Sequence, residues 1–116
     1  MAITDAHKNL AVSTVATAPS PATSGTSLVV ASGHGTRFPT PPFNVTIWPA
    51  TAQPDPSNAE VVRVTAISTD KFTITRAQEG STARTVIIGD KIAATITAKT
   101  VTDVEDLLIL TLIGAM

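Results

Sequence analysis

The sequence predicts an all-β fold, a small barrel or sandwich of about six or seven strands with a short C-terminal helix. Hydrophobic residues make up 43% of the 116 positions but aromatic residues only 3%, so the apolar content is mainly Val, Ile, Ala and Leu. Thr is also common, and Val, Ile and Thr are β-branched residues that favour strands. Short alternating segments are separated by breaks rich in Pro, Gly and Ser. We divide the single domain into an N-terminal arm or linker (1–26), a β-domain (27–99) and a C-terminal apolar assembly segment (100–116).

The first half of the chain holds three strand candidates. Residues 10–17 alternate loosely, residues 27–32 form a compact apolar run, and residues 44–50 alternate cleanly. The segment APSPATSGTS lies between the first two and is typical of an extended linker. Residues 33–43 contain two Gly and three Pro, which indicates a loop, because Pro cannot donate to a central strand ladder.

The second half predicts four more strands, at 60–68, 71–77, 84–88 and 91–98. The first of these is apolar in both phases, which predicts that it is covered on both faces. The second alternates apolar and polar residues, as a half-buried strand does. The dipeptide Gly89-Asp90 predicts a tight turn between the last two strands.

Residues 100–116 change to helical spacing, although the short run 103–113 is apolar on all sides and is also compatible with a strand. Acidic residues in the first turns favour a helix N-terminus there, and Thr100 or Thr102 is placed to cap it. The apolar stripe widens along the segment until it nearly encircles the helix, and such a helix must be buried against something. One small sheet covers only one side, so we expect this segment to pack on copies of the chain or on a larger body. The predicted assembly residues are Val101, Val104, Leu107, Leu108, Leu110 and Leu112.

Composition excludes several functional classes. The net charge of −1 provides no basic field for nucleic acid, and the longest apolar run, 107–116, is about half of what a membrane span needs. With no Cys and two distant His residues, the sequence predicts no metal site and no cofactor. It contains neither a nucleophile elbow nor a phosphate loop, and Asp55, Asp70 and Asp90 all fall in predicted turns. We therefore expect a protein that is not an enzyme.

Two sets of residues have competing interpretations. Arg63, Arg76, Glu79 and Arg84 flank predicted hairpins, where ion pairs fix strand register, and the alternative is an anion or partner site. Trp48 is the only Trp, and it is either a core residue or an interface anchor. Possible partner contacts are Trp48, Arg37 and Phe38.

Five segments occur in a characteristic order: GTSLVV (25–30), G-x-x-FP-x-x-PFNVTIWPA (35–50), AEVVRVTAIS-x-D (59–70), FTITRAQEGSTART (72–85) and IGDKIAATITAKT (88–100). Through them, residues 24–99 resemble a family of small β-domains found in virion proteins of tailed bacteriophages and prophages. The resemblance implies a non-enzymatic structural module of tails, fibres, baseplates or head decorations, often trimeric.

From this resemblance we expect a virion structural protein, a capsid decoration or head-fibre protein that assembles as a homotrimer. Its partners would be itself and the major capsid or tail proteins, without nucleic acid or membrane. The stop at Met116, soon after the β-domain, favours this role over a full tail fibre. The alternative within virions is a tail or baseplate adaptor that joins a fibre to the tail. From other classes, a carbohydrate-binding module acting through Trp48 and residues 33–43, and an enzyme, are the remaining alternatives.

Overall fold

The computed structural model describes residues 4–114 and confirms the predicted fold class. Six antiparallel strands form a closed barrel in the order β1-β2-β5-β4-β3-β6, followed by one C-terminal helix. The strands are β1 (Val12–Thr17), β2 (Ser27–Val30), β3 (Phe43–Trp48), β4 (Glu60–Ser68), β5 (Lys71–Gln78) and β6 (Lys91–Ala93). A short 3-10 helix spans His34–Arg37, and the C-terminal helix α1 spans Ala98–Gly114.

The core fills the barrel interior with inward-facing residues from all six strands. In β5, Phe72 and Ile74 are buried while Lys71, Thr73 and Thr75 are exposed, as the alternation predicts. The Phe38 ring packs edge-on against Phe72, with ring centroids 4.9 Å apart, and is stacked near Phe43 at 6.1 Å. These three rings are all the Phe residues of the chain, and all are buried.

The prediction that strand 60–68 is covered on both faces is wrong. Val62 and Val64 face the core, but the register between β4 and β5 shifts between Val64 and Ala66. This irregularity moves the inward phase by one residue, so Ala66 is exposed and Ile67 packs against the core. The strand looked apolar in both phases because its phase changes part-way along.

Two predicted strands differ from the structure. Residues 84–88 form no strand, and the last strand ends at Ala93 rather than continuing to 98. The backbone of residues 84–88 forms hydrogen bonds that belong to no strand pairing. The Val86 N–H donates to the Ala22 carbonyl at 3.2 Å, and the Arg84 N–H donates to the Glu60 carboxylate at 3.0 Å. Val86 is fully buried, so the β-like composition of this segment reflects packing rather than strand pairing.

Strand β1 closes the barrel, although it lies in the segment that the sequence analysis assigned to an N-terminal arm. It pairs with β2 at Val15↔Val30 and with β6 at Val12↔Ala93. Strand β6 pairs in turn with β3. Each of the six described strands therefore has a neighbour on both sides, and none lies at a sheet edge.

Helix α1 projects from the barrel. None of its residues is buried, and the molecule measures 51 × 30 × 22 Å. A helix of 17 residues is about 25 Å long at 1.5 Å per residue, which accounts for the long axis. From Val104 to Gly114, every residue of the helix is exposed.

Candidate assembly interface

The outer surface of α1 is strongly apolar. All six predicted assembly residues are exposed, from 42% at Leu107 to 68% at Leu108, and Ile109 and Ile113 are exposed with them. Single exposed apolar side chains are ordinary, but a continuous apolar patch is typical of an interaction site.

Two arrangements of apolar residues coexist on this helix. One is a stripe at helical spacing, which we call the seam face: Val101, Val104, Leu108 and Leu112. The other is the segment 107–113, where six of the seven residues are apolar and cover every side of the helix. Its one polar residue, Thr111, donates its hydroxyl hydrogen to the Leu107 carbonyl at 2.9 Å. Within 107–113, Thr111 is thus the one polar side chain, and its hydroxyl hydrogen is already bonded.

The start of α1 is fixed to the barrel by Glu79. One carboxylate oxygen accepts a hydrogen bond from the Lys99 N–H at 2.8 Å, and the other accepts from the Asn44 amide at 2.7 Å. Burial acts to raise the pKa of Glu79, but hydrogen bonds from Thr97, Asn44 and Lys99 outweigh it and hold the pKa below the ordinary value. Glu79 therefore acts as a carboxylate that satisfies a free N–H of the first helical turn.

A second contact joins the N-terminal segment, the barrel and α1. Arg63 binds the Asp5 carboxylate through two parallel hydrogen bonds of 3.0 and 3.1 Å, and it also donates to Asn44 at 2.9 Å. Lys99 lies 3.6 Å from Asp5 and forms an ion pair with Asp103 one turn along the helix. Burial raises the pKa of Asp5, but the Arg63 guanidinium and Lys99 hold it below its usual range. The direction in which α1 leaves the barrel is therefore set by fixed polar contacts.

Glu60 is the centre of a buried ion-pair cluster. It has no exposed surface, and its two oxygens accept hydrogen bonds of 2.8 and 2.9 Å from Arg76. The N–H groups of Ala77 and Arg84 complete its shell at 2.8 and 3.0 Å. Burial raises the pKa of Glu60, but these hydrogen bonds outweigh it and lower the pKa. Arg84 in turn forms an ion pair with Asp90 at 2.8 Å.

These contacts favour the structural interpretation of the four charged residues. The four residues predicted to set hairpin register do not pair with one another. Arg63 pairs with Asp5, Arg76 with Glu60 and Arg84 with Asp90. Glu79 binds Asn44 and the helix backbone instead of an Arg. Each clamps a segment to the barrel, which extends the predicted role from hairpin register to the connections between hairpins.

The three predicted partner contacts are not equivalent. Arg37 is exposed, and Trp48 is half-buried on β3 and lies outside the core cluster. Phe38 is only 4% exposed, because its ring packs on the two other Phe rings, so its prediction as a partner contact is wrong. A sugar-stacking platform across these residues would lack one of its rings.

The polar groups of the 3-10 helix hold the loop in place. His34 Nδ1 shares a hydrogen bond of 2.8 Å with the hydroxyl of buried Ser13. Asp70 does not orient this imidazole; it accepts hydrogen bonds from the N–H groups of Gly33 and Gly35 at 3.1 and 2.9 Å. Across residues 4–114, no three His, Cys, Asp or Glu side chains converge as metal ligands.

Comparison with protein-family models and curated proteins found no related protein. No protein-family model matches the chain, and a search of curated proteins found no match. Among the described residues, no helix has the length and apolar content that crossing a membrane requires.

Proposed function

We propose that the chain is a structural protein of a bacteriophage virion that assembles as a homotrimer through α1. One observation carries the proposal: a closed barrel holds out a helix whose large apolar side chains are exposed on every side. The order of segments that resembles phage virion β-domains supports the setting, and the structural use of the buried charges supports a role without chemistry.

The mechanism is physical. The barrel is a rigid body, and the contacts of Glu79 and Asp5 fix the start of α1 before any partner binds. Three helices that bring their seam faces together bury the four side chains of that face, and each fully buried Val or Leu contributes about 1.5–3 kcal/mol. A helix fixed in advance loses little conformational freedom on association.

The trimer then acts as a multivalent unit on the particle. Three weak contacts of one trimer bind together, so the combined affinity exceeds that of a single contact. We propose the capsid shell as the larger body, which makes the chain a capsid decoration or head-fibre protein. An adaptor between a fibre and the tail is the alternative with the same architecture.

The copy number in the particle tests this proposal. Purified particles of the phage that encodes the chain are digested, and the chain is quantified by mass spectrometry against the major capsid protein. We expect an abundance comparable to that of the capsid protein for a decoration, whereas a few copies per particle would establish the adaptor role. A chain that is absent from purified particles would contradict the proposal.

A further inference from the structure

A second surface feature lies on the barrel, beside the start of α1. Three neighbouring cavities of about 490, 570 and 250 Å³ share lining residues and form one groove. Lys8 and Asn9 line both the first and the second, and Val12 and Arg37 line both the second and the third. No acidic residue lines any of them. We call this surface the basic stripe: Lys8, Leu10, Val12, Arg37, Lys91 and Ile96.

The basic stripe combines exposed apolar groups with cations that have no acidic partner. Leu10 is 85% exposed and Ile96 79%. Within residues 4–114, Lys8, Arg37 and Lys91 form no ion pair, whereas Arg63, Arg76, Arg84 and Lys99 each do. Lys8 donates to the Thr36 carbonyl at 2.6 Å and Arg37 to the Val12 carbonyl at 3.3 Å, so both side chains are held over the groove. A surface of this kind fits an apolar segment that carries negative charge.

Such a segment occurs in α1 itself. Glu105 and Asp106 are exposed and form no ion pair among the described residues, whereas Asp103 is paired with Lys99. At 3.6 residues per turn they share one side of the helix with two exposed isoleucines, about 100° around the helix from the seam face. We call this side the acidic face: Glu105, Asp106, Ile109 and Ile113.

The groove begins at the base of α1. Thr100, in the first turns of α1, lines the same cavity as Lys8 and Ile96, so the basic stripe begins where α1 leaves the barrel. In the proposed trimer, the α1 helix of a neighbouring copy starts near this end of the groove. Its Glu105 and Asp106 lie in the second and third turns, about 8–9 Å along the helix axis from Thr100.

We infer that the basic stripe of one copy binds the acidic face of α1 from a neighbouring copy. The inference rests on the proposed self-assembly and adds the surface that covers the side of α1 outside the seam. The contact is heterologous, because a barrel surface of one copy meets a helix of the next, and repeated around an axis it closes a ring. It selects a partner by charge as well as by apolar area.

A charge exchange tests the contact on the full chain. Lys8→Glu with Arg37→Glu reverses the basic stripe, and Glu105→Lys with Asp106→Lys reverses the acidic face. We expect each pair alone to weaken self-association by about tenfold or more in sedimentation velocity, and more strongly at low salt. All four substitutions together restore the opposite charges and recover association to within about threefold of the unmodified chain. Lys71→Glu, an exposed reversal outside the groove, is the matched control and leaves association unchanged.

The outcomes separate this inference from the proposed function. Association that survives both reversals, or that the four-substitution chain fails to recover, overturns the inference while leaving assembly through the seam face intact. An unmodified chain that does not self-associate overturns it as well, whereas the virion role is tested separately by particle composition. Glu105 and Asp106 form no ion pair among residues 4–114, so reversing their charges should not disturb the fold. The acidic-face variant therefore tests the contact even if the basic-stripe variant fails to fold.

Discussion

At the residue scale, Glu60 shows how much of the interior can be predicted from strand phase. It shares its phase in β4 with Val62 and Val64, so the alternation alone places its side chain inside the barrel. A buried carboxylate needs a charged partner, and Arg76 on the neighbouring strand β5 supplies it. The Asp5–Arg63 pair could not be predicted in this way, because Asp5 precedes the first strand and no periodicity fixes its place.

Replacing Glu60 with Gln removes the negative charge and leaves Arg76 buried without a counter-ion. Breaking one partner of a buried ion pair typically costs about 3–5 kcal/mol, and we expect a loss of this size in the free energy of unfolding at pH 7. Urea denaturation followed by far-ultraviolet circular dichroism measures it. Lys71→Gln, at an exposed position on the same sheet, is the control and changes the free energy by less than about 0.5 kcal/mol.

The difference in stability between the unmodified chain and the Glu60→Gln chain also depends on pH. The pKa of Glu60 is lowered in the folded state, so the unfolded chain binds more protons as the pH falls below the ordinary carboxyl pKa of about 4.3. The stability from ionised Glu60 is present above that pH and is lost as the pH falls through the lowered value. The difference in the free energy of unfolding between the unmodified and the Glu60→Gln chains must therefore become smaller in acid. A difference that stays constant down to pH 3 would contradict the lowered pKa of Glu60.

At the element scale, strands that alternate cleanly were predictable, and β3 and β5 begin and end within two residues of the predicted bounds. The structure of residues 84–88 was not predictable from their β-like composition. That composition buries Val86, and the Ile87 N–H donates a hydrogen bond to the Asp90 side chain at 3.0 Å instead of pairing with a strand. Helix α1 was predicted from its spacing, but it begins two residues earlier than expected. Its N-terminal partner is Glu79, whose closeness to Lys99 arises only from the fold.

Glu79→Asn tests the attachment of α1. Asn tolerates the left-handed backbone of this position, where φ is 53°, but its shorter side chain cannot reach both partners. Loss of a helix cap costs about 1 kcal/mol, so amides in the first turn of α1 should exchange with solvent roughly fivefold faster. Hydrogen exchange measured by NMR resolves them individually. Amides of Val62 and Val64 are the internal control, and unchanged exchange at Lys99 would show that Glu79 does not hold the helix.

At the scale of the whole molecule, the barrel and the helix divide two tasks. Closure of the barrel by β1 gives every described strand a neighbour on both sides, and the exposed large apolar side chains lie mainly on α1. The apolar seam was predictable because its residues are close in sequence. The basic stripe was not, since the topology brings Lys8, Arg37 and the Lys91–Ile96 segment together from three distant parts of the chain.

The central claim is that α1 drives assembly of a trimer, and sedimentation equilibrium of the full chain tests it most directly. We expect a single species of about three times the 11.9 kDa chain mass. Leu108→Lys with Leu112→Lys places two charges in the seam face and should give a folded monomer, as should a chain cut after Thr100. A full-length chain that sediments as a monodisperse monomer, or a seam variant that remains trimeric, would contradict the account.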